Sequence, residues 1–179
     1  MCRQTGTSCR SRRLGLFAAA CFFLTTAHAA AQDAPKADLS VGYQFTHLNG
    51  SNGVDGTNIP AGWTASITGR LNPFLNVVGE VNGAYKDGGK LHHYLGGLRF
   101  GGGPSRGTNY IVVFGQVLAG LSSSAGKTGF VIQPGIGLDI HGSGKVGGRV
   151  NVDYLTDRHD GFTGKGVRVA AGVVVNLGK

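Results

Sequence analysis

Six charged residues carry the chemistry most legible in this chain. Glu80, Asp139 and Asp153 are each followed, 10 to 19 residues later, by an arginine: Arg99, Arg149 and Arg168. That spacing suits acid–arginine pairing between neighbouring segments. Other constellations fall short. Ser122 to Ser124, with His159 and either Asp157 or Asp160, hold the residue types of a hydrolase, which needs its nucleophile, base and acid gathered at one place. Nothing in the spacing gathers them. Gly120 to Thr128 (GLSSSAGKT) imitates a phosphate-binding loop, but five residues separate its two outer glycines where that motif has four, and no helix follows. His92 and His93 are adjacent, so on an extended strand they point to opposite faces and share no metal. The expectation is therefore no catalytic residue, no cofactor and no metal.

The segments around these residues are short strands. Leu39, Val41, Tyr43 and Phe45 alternate with Ser40, Gly42, Gln44 and Thr46. The same period of two runs through Ile59 to Ile67, Leu75 to Tyr85, Tyr94 to Phe100 and Val113 to Leu121. It continues through Phe130 to Ile140, Val146 to Tyr154 and Val167 to Leu177. Turn signals such as Asn72-Pro73, Lys86 to Lys90 (KDGGK) and His141 to Lys145 (HGSGK) divide the eight segments. Among 179 residues, 33 are Gly and only 15% are charged, while 41% are hydrophobic, which argues against disorder. No apolar run reaches the roughly 20 residues of a membrane-spanning helix.

The first thirty residues read as an address. Arg3, Arg10, Arg12 and Arg13 precede the apolar stretch Leu14 to Leu24, and small residues from Ala27 to Ala31 offer a cleavage site. The expected division is a signal peptide over 1–31, cut between Ala29 and Gln32, and one domain over 32–179. All three cysteines (Cys2, Cys9, Cys21) lie in the leader, so the mature chain has no disulfide or thiol chemistry. Four of the 17 Lys and Arg leave with it, so 13 remain against 9 acids. These are scattered, which gives no basis for nucleic-acid binding.

The residue types on the two parities point to a membrane. One parity is apolar, and the other carries Ser, Thr, Asn, Gln, Gly and the six paired charges. A tilted strand of about 9–11 residues with apolar side chains outward and polar ones inward crosses a bilayer, provided that the sheet closes. The fold class expected is thus an all-β, eight-stranded antiparallel up-and-down transmembrane β-barrel. An eight-stranded barrel has room inside only for side chains. Glu80, Arg99, Asp139, Arg149, Asp153 and Arg168 would then plug the lumen as ion pairs, Glu80 with Arg99, Asp139 with Arg149 and Asp153 with Arg168. Tyr43, Phe45, Trp63, Tyr85, Tyr94, Phe100, Phe130 and Tyr154 lie on the apolar parity and read as membrane-interface aromatics.

From Ala37 onward the chain resembles the small outer-membrane β-barrels related to the transmembrane half of outer-membrane protein A. The stretches LSVGYQF, GWTASITGRLNPFLNVVGEVNGAY, YLGGLRF and VRVAAGVVVNLG carry the resemblance. It implies export to the outer membrane as a monomer, with outer-membrane lipid as its solvent. It also implies help from periplasmic chaperones and the barrel-assembly machinery. That machinery reads a terminal aromatic residue in the family, where this chain has Leu177. With the N-terminus in the periplasm, the connections Leu48 to Asn58, Lys86 to Lys90, Ser122 to Thr128 and Asp157 to Lys165 face outward, the first and last being the longest. The function expected is structural or surface-interacting, with no catalysis and an extracellular partner that the sequence does not name. A small channel, or a soluble lipocalin-like barrel with its apolar parity inward, are the alternatives.

Overall fold

The computed structural model describes residues 37–50, 56–101, 110–124, 126–159 and 162–177. The leader and its cleavage site lie outside these residues. Among the described residues nine strands follow one another: β1 (Ala37–Leu48), β2 (Thr57–Ile59), β3 (Ala61–Arg70), β4 (Leu75–Lys86) and β5 (Gly89–Gly101). Then come β6 (Tyr110–Ser124), β7 (Lys127–His141), β8 (Val146–His159) and β9 (Phe162–Leu177). β1 pairs antiparallel with both β2 and β3, each strand from β3 to β8 pairs antiparallel with the next, and β1 pairs with β9 from Ala37 opposite Leu177 to Leu48 opposite Gly166. The sheet is closed by the pairing of β1 with β9.

β2 and β3 are one stave of the barrel broken at Pro60, so the barrel has eight staves. Tyr43 faces Trp63 while Thr46 faces Ile59, which leaves Pro60 as an extra residue on the second stave. A proline without an N–H is tolerated at such a bulge. The bulge reverses the alternation. Ile59 turns into the lumen and is buried, whereas Ala61 and Trp63 face outward. The sequence pattern had put Ile59 on the same face as Trp63, and the structure corrects that.

The register sets the tilt. Leu39 leads by ladder pairs through Ile67, Gly79, Gly96, Ala119, Ile132 and Thr156 to Lys165. The Lys165 carbonyl accepts from the amide of Asn49 at 2.7 Å, ten residues above the start on the same strand. A barrel with that stagger has strongly inclined strands and an interior filled by side chains.

Three connections at the end away from the termini are tighter than the sequence suggests. β8 runs on to His159 and β9 starts at Phe162, so most of Asp157 to Lys165 is paired strand rather than a long loop. Likewise β6 continues to Ser124 and β7 begins at Lys127, which makes the GLSSSAGKT segment a hairpin. Once the strands leave the lipid, polar residues occupy both faces and the apolar alternation fades, so these extensions read as loop. Asp87 and Gly88, at φ 49° and 81°, turn β4 into β5 with the positive φ values of a type I′ hairpin.

The apolar parity faces outward. Leu39, Val41, Ile67, Val113, Ile136, Leu138, Val150 and Val173 are exposed, while Gln44, Gln133, Asp153 and Arg168 are buried. A soluble barrel would bury the first set, so the lipocalin-like alternative is the wrong way round for this chain.

Candidate functional site

The lumen is the chemically richest part of the barrel. Inward positions of successive strands carry its polar groups, and burial favours a partner for each, with His93 Nε2 and Gln133 Oε1 left without a hydrogen bond. Arg168 on β9 donates to Glu80 on β4 at 2.6 Å, to Asp153 on β8 at 2.7 and 3.1 Å, and to Gln44 on β1 at 3.1 Å. Gln116 and Asn151 also donate to Asp153, at 2.8 and 2.5 Å. Glu80 further accepts from Asn82 at 3.0 Å and Gln133 at 3.3 Å. One arginine and two acids, with their partners on β1, β6 and β7, thus tie six strands together across the lumen.

A second cluster lies toward the end that holds the termini. Arg149 grips Asp139 with two hydrogen bonds of 2.6 and 2.7 Å and reaches Asp38 at 3.1 Å. Arg99 donates to Gln116 at 2.9 and 3.2 Å and to Thr68 at 3.3 Å. Its guanidinium lies 4.2 Å from the ring centre of Phe114, within reach of a cation–π attraction. The expected Glu80–Arg99 pair is therefore corrected. The residue opposite Glu80 on β5 is Leu95, and the residue opposite Arg99 on β4 is Asn76. Glu80 is held instead by Arg168, which adjoins it across the barrel and not along the chain.

Sequence reasoning also missed an apolar layer inside. Val78, Leu95, Leu118, Val131 and Leu155, one from each of five successive strands, pack together in the lumen. They share the parity of the polar residues. The signal was present in their positions, but an apolar residue on a polar face reads as noise until the curvature brings five together. Between this layer and the ion pairs little space remains. The small cavities inside measure about 50 Å³ beside Asp38 and about 10 Å³ beside Ser40.

Toward the far end, Ser122 Oγ donates to Asp157 Oδ1 at 2.7 Å, and His93 Nε2 lies 3.8 Å from Asp157 Oδ2. His93 Nδ1 contacts Asn82 Oδ1 at 3.0 Å. The acid thus stands between the serine and the histidine. A hydrolase needs the histidine between the serine and the acid, so that it can take the hydroxyl proton. His93 lies in the lumen and its neighbour His92 faces outward, where the latter's Nε2 meets Tyr85 Oη at 3.1 Å.

The eight aromatic residues expected at the membrane interface sit on the outer face. Trp63 lies over Gly83, its cross-strand partner, and its Nε1 donates to Tyr85 Oη at 3.0 Å. Tyr43 pairs with Trp63, and Phe45 with Val169. Phe130 is near the far end of β7, Phe100 near the terminal end of β5, and Tyr94 and Tyr154 lie within their strands. All of these except Tyr85 are well exposed.

A closed sheet with an apolar outer belt and a polar, ion-paired interior is stable only where hydrocarbon surrounds it. The fold is that of a small outer-membrane β-barrel. Neisserial surface protein A has the same architecture, with a TM-score of 0.63 at 12% identity over 82% of this chain and 100% of that one. Ail, the attachment invasion locus protein of Yersinia pestis, follows with a TM-score of 0.53 at 15% identity over 79% of this chain and 99% of that one. No family model and no curated protein matches the sequence. The apolar belt is the face that a barrel of this fold turns to lipid.

Proposed function

We propose that this barrel is a surface-interaction protein whose outer hairpins engage an acidic partner, and that it neither conducts nor catalyses. The observation that carries this reading is the charge on the end away from the termini. Among the described residues there, Lys86, Lys90, Lys127, Arg158 and Lys165 stand against Asp87 and Asp157. An excess of one sign steers partners of the other. The printed names of the two structural neighbours, a surface protein and an attachment protein, agree with such a role. With its N-terminus in the periplasm, the barrel presents this end outside.

The test exchanges Lys86, Lys90, Arg158 and Lys165 for glutamine and measures binding of whole cells to acidic and neutral surfaces. Loss of binding to the acidic surface alone is expected, and unchanged binding overturns the role. The channel reading is disfavoured by the filled lumen. A discrete conductance in planar bilayers would revive it.

A further inference from the structure

The ladder between β7 and β8 is broken within the lipid-facing wall. β7 pairs with β8 at Ile132–Thr156 and again at Gly135–Asp153, but neither Gln133 nor Pro134 pairs with β8 between them. On the other side of β7 the ladder is intact, with Pro134 opposite Val117 and Gln133 opposite Leu118. The cause is Pro134, which has no N–H to give to β8. Proline in the middle of a membrane-crossing strand weakens the one device that lets backbone sit in hydrocarbon.

A depression of about 530 Å³ lies over this break. Gly115 and Pro134 form its floor, and Val117, Ile136 and Tyr154 are among its walls. Gly115 faces outward between Phe100 and Ile136, so a row of large side chains has a gap there. Gly135 makes the wall thin, because a Cβ at that position would overlap the Asp153 carboxylate behind it. That carboxylate is held by Arg168 and Asn151 and does not move aside freely.

We propose that this depression seats a single hydrocarbon chain of a membrane lipid and holds it longer than the lipid around the rest of the barrel. The inference rests on the membrane placement of the barrel. The depression is continuous with the apolar belt, and Ile136 on its rim is 69% exposed. Its occupant must come from the bilayer interior, where nothing but chains is at hand. A concave apolar seat gives a chain contacts on several sides, whereas the convex wall elsewhere gives contacts on one, and dispersion energy sums over those contacts. Tyr154 and Ile136 are among the side chains that line the seat.

The test uses two matched substitutions in the exported protein, reconstituted in phosphatidylcholine vesicles that contain nitroxide-labelled acyl chains. Gly115→Leu fills the seat, and a Cβ there meets only a carbonyl oxygen at 3.9 Å. Gly96→Leu adds the same side chain to the outer wall away from the groove, where a Cβ likewise meets only a carbonyl oxygen at 3.9 Å. The slowly exchanging, motionally restricted lipid signal should be lost in Gly115→Leu and retained in Gly96→Leu. Native mass spectra of the detergent-solubilised protein should show one bound lipid in the wild type and Gly96→Leu, and none in Gly115→Leu. Equal signals in all three proteins overturn the seat. Disulfide-linked pairs from Ile136→Cys in vesicles overturn it as well, since a second copy of the chain would then cover the groove. Failure of the wild type to fold into vesicles would count against the membrane placement itself, and it is read separately by the mobility of unboiled protein on a gel.

Discussion

Arg168 and Glu80 are 88 residues apart in the chain, yet the guanidinium meets the carboxylate at 2.6 Å in the middle of the lumen. The other edge of Arg168 holds Asp153 at 2.7 Å. Removing one member of such a cluster leaves the others without compensation inside the barrel. Arg168→Leu strands two acids and should cost about 3–5 kcal/mol. Glu80→Gln leaves Arg168 with Asp153 and should cost less, about 1–3 kcal/mol. Urea titration of the protein in vesicles gives both values. A smaller loss for Arg168→Leu than for Glu80→Gln contradicts the cross-lumen arrangement.

Trp63 is the one tryptophan of the chain, so its fluorescence reports a single site. A Cβ on Gly83 would lie 2.7 Å from the indole nitrogen and 3.0 Å from Tyr85 Oη. Gly83→Val should displace the indole, break its hydrogen bond to Tyr85 and shift its emission, at a stability cost of about 1–3 kcal/mol. Unchanged emission would show that the ring does not rest on the glycine.

Leu118 is fully buried at the centre of the apolar layer. Leu118→Ala should cost about 2–5 kcal/mol by leaving a cavity. The cavity should not open a pore, because the ion pairs beside it stay closed. Planar-bilayer recording of the variant checks this, and a discrete current would show that the layer is the plug.

The leader reading also has a direct check. Protein recovered from the outer membrane should begin between Ala30 and Gln32, without the three cysteines, as read by intact mass. Recovery of a membrane barrel that still begins at Met1 contradicts it.

The alternation of Leu39, Val41, Tyr43 and Phe45 with polar residues was enough to give strands, and the mixture of residue types on the two parities was enough to choose a membrane barrel. Both are local properties, set by the direction in which successive side chains leave a strand. The pairing of Asp139 with Arg149 and of Asp153 with Arg168 was equally accessible, because one hairpin joins each pair. Glu80 and Arg168 were not, since their meeting depends on curvature and on a ten-residue stagger that accumulates around the whole barrel. The same holds for the layer of Val78, Leu95, Leu118, Val131 and Leu155, each an isolated exception along its own strand. Pro60 and Pro134 were visible as letters. That one turns Ile59 inward, and that the other opens the ladder to β8, follows from which neighbours the closed sheet places beside them.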